Sequence, residues 1–160
     1  MAGTKKHDSE DGIRIVARNK RAFHEYEVLD RLECGIVLKG TEVKSLREKN
    51  ASLEDAYAKL EEGELWLLGS DIPEYSMGNR LNHKPKRPRK LLIHRRELAK
   101  FAAKATQRGF TLVPLRLYFR DGLAKVEIAV ARGKQQHDKR EAQKKADAQR
   151  DIRREMLRKK

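Results

Sequence analysis

A single cysteine, Cys34, leaves this 160-residue chain with no intrachain disulfide and no cysteine metal cluster. Aromatic residues make up only 6%, so the core must be modest. No run approaches the roughly 20 apolar residues that a membrane-spanning helix needs. The stretch from Met1 to Asp11 is polar and mixed in charge, unlike a secretory signal. Catalytic signatures are missing too. There is no GxxxxGK(S/T) phosphate loop, no GxSxG elbow and no HExxH pair. His7, His24, His83, His94 and His137 are scattered, and none pairs with another histidine or with Cys34 at metal-ligand spacing. Cys34 reads as a small core residue, since no basic partner for a nucleophile is identifiable. These absences argue against an enzyme, a metal, another cofactor and a membrane protein. They fit a reducing cytoplasm.

Positive charge is what the chain has in excess. Thirty-eight Lys and Arg face 24 Asp and Glu, for a formal charge of +14 and a pI near 10.0. Such a balance suits nucleic acid or an anionic membrane surface. The charge is unevenly spread. Arg132 to Lys160 holds twelve Lys or Arg and five Asp or Glu, half of the net charge in under a fifth of the length. This stretch has no aromatic residue, and only Ile152, Met156 and Leu157 are large aliphatics. It lacks both the apolar surface needed to offset the entropy of ordering and the broad apolar face of an interfacial helix. Glu141 and Lys145, or Glu155 and Lys159, stand four apart in the order that favours a helix. The expectation is a basic tail over residues 132–160 that becomes helical against a polyanion.

Upstream, residues 1–12 read as a disordered N-terminus and 13–131 as one strand-rich domain. Ile13 to Ala17 has a short strand signal. Tyr26 to Leu38 alternates unevenly and predicts two strands broken at Gly35. Thr41 is placed to cap a short helix ending near Lys49, with Val43 and Leu46 on one side. Ala56–Leu60 and Glu64–Leu68 flank Glu61-Glu62-Gly63 as a hairpin. Asp71 to Lys90, with Pro73, Gly78, Pro85 and Pro88, is a loop. Leu98, Phe101, Ala102 and Ala105 recur at helical spacing, and Gly109 follows, so Ile93 to Arg108 predicts a helix. Thr111–Phe119 and Ala124–Ala131 form a second hairpin around Asp121-Gly122. Some six short strands with inserted helices suggest a small closed or partly open barrel, an oligonucleotide-binding barrel being one candidate.

Two sets of charged residues are candidates for function. His83 to Lys90 carries five Lys or Arg and no acid, and its prolines are expected to hold it extended. It reads either as a solvated loop or as a set of phosphate contacts, and the strongly cationic chain favours the second. Glu25, Glu27 and Glu33 take alternate positions of an expected strand. They are a conceivable site for a divalent metal and nuclease chemistry, but solvated or paired carboxylates explain them more simply.

Several blocks, in order, carry a resemblance to a known family. They are Asn19-Lys20-Arg21-Ala22 with His24-Glu25-Tyr26, Gly40-Thr41-Glu42-Val43-Lys44-Ser45-Leu46-Arg47, and Arg89-Lys90-Leu91-Leu92 with Arg95, Glu97 and Leu98. The last is Gly133-Lys134-Gln135-Gln136-His137-Asp138-Lys139-Arg140. From about Ile13 onward the chain closely resembles the bacterial SsrA-binding protein family, also called small protein B. The resemblance implies a mainly β fold, a small oligonucleotide-binding-type antiparallel barrel with flanking helices and a basic C-terminal tail. It implies no catalytic activity. The implied task is to bind the tRNA-like part of transfer-messenger RNA and bring it, with elongation factor Tu, to stalled ribosomes in the bacterial cytoplasm. There the tail would lie in the empty mRNA channel at the small-subunit decoding centre, helical when bound.

Carried over residue by residue, the resemblance places RNA contacts at Asn19, Glu33 and Leu92, with Lys20, Arg21 and Tyr26 in the first matching block. Asn19 offers a donor and an acceptor, Glu33 accepts from a base amine or sugar hydroxyl, and Leu92 packs on an unstacked base. Read without the family, these would be a turn residue, a surface charge and a core leucine. Phosphate contacts fall on Lys84, Lys86, Arg87, Arg89 and Lys90. Gly133, Lys134, His137, Asp138, Lys139 and Arg140 match the decoding-centre block, with Gln135 where many members have a basic residue. The competing reading is a general RNA-binding or ribosome-associated structural protein.

Overall fold

The computed structural model describes residues 12–48, 50–78, 82–134 and 136–158. Residues 1–11 of the expected disordered N-terminus, and Gln135, lie outside them. In chain order the elements are β1 (Ile13–Arg18), α1 (Lys20–Glu25), β2 (Tyr26–Ile36), α2 (Gly40–Arg47), β3 (Tyr57–Glu61), β4 (Glu64–Leu68), β5 (Arg89–Leu92), α3 (Arg95–Ala105), β6 (Phe110–Arg120), β7 (Leu123–Gly133) and α4 (Gln136–Arg158).

Two tight turns start the sheet. Glu62 and Gly63 join β3 to β4, and Asp121 and Gly122 join β6 to β7. All four have positive φ, between 50° and 79°. That geometry matches the right-handed twist of the strands. Hydrogen bonding then runs β6-β3-β4-β5-β2-β7 and returns to β6, so six antiparallel strands close into a ring, with β1 added along β6. Two seams are thin. β3 meets β6 only at Ala58 and Leu112, and β2 meets β5 at Gly35 and Ile36.

Side-chain alternation separates an interior from an exterior. Val126, Ile128 and Val130 of β7 point into the main core with Cys34, Leu65, Leu67, Leu117 and Phe119. Ala129 and Ala131, which alternate with them, face outward and join Val113, Leu115 and Ala22 in a second cluster. Burial on both faces is why β6 and β7 look apolar throughout. Pro114, which cannot donate a ladder hydrogen bond, sits at a bulge opposite β7. Cys34 is fully buried, and that desolvation pushes its thiol up to about 12. It is a core residue.

Four elements differ from their sequence expectation. α1 was missed because six residues show too little periodicity; Asn19 caps it and Ala22 seats it on the outer cluster. β2 is not broken at Gly35. Its bulge lies between Val28 and Asp30, where Leu29 has no strand partner and is 45% exposed. The segment read as loop contains β5, so there are seven strands rather than six. Thr41 does not cap α2. Lys39 is the N-cap, its N–H donating to Glu42 Oε1 at 2.9 Å, while the Thr41 hydroxyl meets His83 Nδ1 at 2.9 Å.

α3 follows β5 directly and inserts Phe101 and Leu98 into the interior core. Lys104 near its end reaches Asp30 at 2.8 Å. That bond ties the end of the helix to β2. The tail forms one helix, α4, roughly 34 Å long at 1.5 Å per residue. Its described side chains are exposed, apart from half-buried Ala146. Gln143 and Asp147 are its described i,i+4 hydrogen bond, at 3.3 Å. The pairings expected at Glu141 and at Lys159 fall on side chains outside the described set.

Candidate nucleic-acid interface

A groove of about 550 Å³ opens where β2, β5, β7 and the start of α3 meet. Glu33, Gly35, Leu92, His94, Glu97 and Lys125 line it, with Leu32 and Ile93. Its floor is bare because Gly35 sits between Leu92 on β5 and Lys125 on β7. A Cβ at Gly35 would come within 3.3 Å of the Leu92 Cβ. Leu92 is the last residue of β5 and faces out, 52% exposed, offering an apolar surface at a site with charged walls.

Glu33 is held from the opposite side. The phenol of Tyr118 donates to Glu33 Oε2, and Arg120 approaches the same oxygen at 3.3 Å. Tyr118 is buried, and burial, then the hydrogen bond to Glu33, raise its phenol well above the usual range. The hydroxyl therefore stays protonated and remains a donor. Both described partners of Glu33 use Oε2, which leaves Oε1 as an acceptor for a base amine or ribose hydroxyl. Next along the outer face, Glu127 takes Arg116 at 2.8 Å and Arg31 at 3.5 Å. Arg116 and Arg120 also flank the Tyr118 ring, at 5.1 and 5.9 Å from its centre.

The other expected contacts lie elsewhere. Tyr26 begins β2 and Glu33 follows seven residues on, about 23 Å along the strand. Asn19, Arg21 and Tyr26 line a separate groove of about 350 Å³ with Glu25, Asp55 and Tyr57. Asn19 is only 3% exposed. Its amide donates to the carbonyls of Leu53 at 3.1 Å and Pro114 at 3.0 Å, and its Oδ1 accepts from the Ala22 N–H. Its side-chain groups, expected to meet RNA, are engaged within the fold. Lys20 is exposed, and Arg21 pairs with Glu25 at 2.8 Å.

The basic loop is not extended. The Arg87 N–H donates to the Lys84 carbonyl at 3.2 Å, closing a turn. Lys84 and Lys86 are exposed, whereas Lys90 pairs with Glu64 at 2.8 Å and Arg87 with Glu42. Arg89 is 0% exposed. It bonds Glu42, the Ser70 carbonyl and hydroxyl, and the Pro85 carbonyl. Expected as a phosphate contact, Arg89 is instead the internal strut that ties the loop to α2. Burial disfavours the charge on Glu42, but the Lys39 N–H, Arg87 and Arg89 together hold its carboxyl below the usual range. His83, counted with the basic loop, is buried between Thr41 and the Ile72 carbonyl.

At the root of the tail, the Lys134 N–H donates to the Glu25 carbonyl at 2.9 Å, and its ammonium to the Phe23 carbonyl at 3.1 Å. Gly133 still pairs with Tyr26. His137, Asp138 and Lys139 lie on α4, and Arg140 on the same helix is exposed.

Glu25, Glu27 and Glu33 do not converge. They are committed to Arg21, Arg132 and the Tyr118–Arg120 pair respectively. Among the described residues, no three His, Cys, Asp or Glu side chains come together as a metal site, and no helix is long and apolar enough to cross a membrane. Gly35 and Lys125, which line the groove, and Tyr118 and Arg120, which hold Glu33, were not among the expected site residues. The alternation of Arg116, Tyr118 and Arg120 opposite Lys125 and Glu127 was the signal, since it marks a polar strip on an otherwise apolar hairpin.

The family model described as SmpB protein matches residues 16–158. The chain belongs to the SmpB protein family. An SsrA-binding protein of Thermobifida fusca is 53% identical over 158 residues, covering 99% of both chains. Another, from Corynebacterium jeikeium, is 57% identical over 142 residues, covering 89% of this chain and 77% of its own. A chain in the solved structure "tmRNA-SmpB: a journey to the center of the bacterial ribosome" shares 46% identity with a TM-score of 0.64, over 78% of this chain and 92% of that one. That likeness extends to the fold, which in this chain is a mainly antiparallel sheet of seven strands with four helices.

Proposed function

We propose that this SmpB-family chain binds transfer-messenger RNA and delivers it to stalled bacterial ribosomes for trans-translation. The barrel takes the tRNA-like part of the RNA at the Glu33–Leu92 groove. Glu33 Oε1 accepts from a base or ribose, Leu92 packs on an unstacked base, and Lys84, Lys86 and Lys125 meet phosphates nearby. The tail enters the empty mRNA channel with its helix α4 and reads the decoding centre through Gly133 and Lys134 at its root and His137, Asp138, Lys139 and Arg140 on α4. With its described side chains exposed apart from Ala146, α4 relies on helix propensity and short-range pairs, so RNA contacts tip it toward full helix. Elongation factor Tu joins through the RNA, the chain acts in the cytoplasm, and it catalyses nothing itself.

The observation that carries this reading is a carboxylate fixed by Tyr118 and Arg120 beside a half-exposed leucine on a strongly cationic barrel. Charge alone binds any RNA; a positioned acceptor selects one. The test is the affinity for transfer-messenger RNA and for an unrelated folded RNA of equal length at two salt concentrations. A preference that survives the higher salt supports the proposal. Equal affinities that both collapse with salt favour a general RNA-binding protein. The tail is tested by truncation after Lys134 rather than Arg132, because Lys134 is bonded to α1. RNA binding should persist while peptide tagging is lost.

A further inference from the structure

Several cations around the groove already have acids. Lys90, Lys104, Arg116 and Arg120 each lie within 3.3 Å of a carboxylate. On α3 three neighbouring cations differ. Arg95, Arg96 and Lys100 are exposed, and none pairs with an acid among the described residues. At about 100° per residue these three fall within roughly 140° of arc. Exposed Ala99 and Ala103 lie between them, so no bulky side chain stands above the helix surface there.

Such a face has donors and charge but no aromatic ring. Single-stranded nucleic acid is held largely by stacking on aromatics, which this arc cannot supply. A paired stem offers rows of phosphates and asks only for cations at close approach. The arc also continues from the groove, since His94 and Glu97 at the start of α3 line it and the exposed Arg95 and Arg96 are their chain neighbours. We propose that the Arg95–Arg96–Lys100 face of α3 is a rail for the phosphate backbone of a paired RNA stem whose unpaired nucleotides occupy the Glu33–Leu92 groove. This rests on the proposed function for the identity of the RNA, not for the phosphate contact itself.

The test replaces Arg95, Arg96 and Lys100 together by Gln, a good helix former at exposed positions. Binding to the tRNA-like domain of transfer-messenger RNA is titrated at several salt concentrations. A control replaces Arg153, Arg154 and Arg158 of α4 by Gln, removing the same charge. The expected result is a salt slope lower by about 2 to 3 for the α3 variant, near one unit per lost phosphate contact, and little changed for the control. The affinity for an unpaired oligonucleotide of equal length should be unaffected by the α3 changes. An unchanged slope, or equal losses in the two variants, overturns the rail. A wild-type protein with no preference for transfer-messenger RNA would instead refute the proposed function, whatever the slopes do.

Discussion

Glu33 on β2 accepts a hydrogen bond from the Tyr118 phenol on β6, across the intervening strand β7. A buried aromatic thereby aims a surface carboxylate, and the aim is lost if the hydroxyl is removed. Tyr118→Phe keeps the ring and leaves Arg120 as the described partner of Glu33. RNA affinity should fall, but by less than with Glu33→Ala, for which about 1–3 kcal/mol is expected from loss of a specific polar contact. Equal losses would mean that the phenol matters as much as the carboxylate. No loss in either would remove Glu33 from the interface.

The same phenol sets a pH limit. Its folded-state pKa is raised, so the native state keeps a proton that the unfolded chain releases above about pH 10. The stability it contributes is fully present below that pH and declines above it. Thermal unfolding at pH 9 and 11 should show a larger drop for the wild type than for Tyr118→Phe.

Arg89 and Glu42 form a fully buried ion pair. Glu42→Gln would leave Arg89 without its counter-charge in the core, at a cost of about 3–5 kcal/mol. Chemical denaturation measures it. Because Glu42 has a lowered folded pKa, its contribution is present above its unfolded value and disappears as pH falls through the folded one. Wild type should therefore lose stability on acidification more steeply than Glu42→Gln.

Asn19→Ala removes a helix cap and two donors to buried carbonyls, which predicts about 2–4 kcal/mol of lost stability. Asn19→Asp keeps the capping oxygen but not the donors, and should fall between. If Asn19 instead touched RNA directly, Asn19→Ala would weaken binding with little change in the denaturation midpoint.

Leu92→Ala should do the opposite. Half the side chain already meets water, so stability should change by about 1 kcal/mol or less. If a base packs on it, RNA affinity should drop by about 1–3 kcal/mol. Paired denaturation and binding titrations separate the two effects.

Both hairpins, α3 and the basic tail were legible in the sequence because each is local: a turn pair with positive φ, a helical period, a run of charge. What was hidden depends on partners distant in the chain. Arg89 stands among five cations, and nothing nearby shows that Glu42, 47 residues earlier, draws it inside. Asn19 matched a family position, yet its amide is used by Leu53 and Pro114. Gly35 looked like a strand break, but its missing side chain makes room for Leu92. The β5 pattern was masked by the prolines before it. The Glu33–Leu92 pairing came from family resemblance alone, because the β2–β5 seam that joins them spans over fifty residues of sequence.

β7 lies between β2 and β6, and Tyr26 pairs with Gly133 across more than a hundred residues. The barrel therefore cannot close while the chain is being made until its last strand has been synthesised. Until then β2 and β6 both present open hydrogen-bonding edges, the kind of surface that captures foreign strands. A chain cut short before Leu123 would lack a closed barrel and should aggregate, whereas one cut just after Lys134 should still fold. Messages broken upstream of that point would yield only sticky fragments, and those broken beyond it a barrel without its tail.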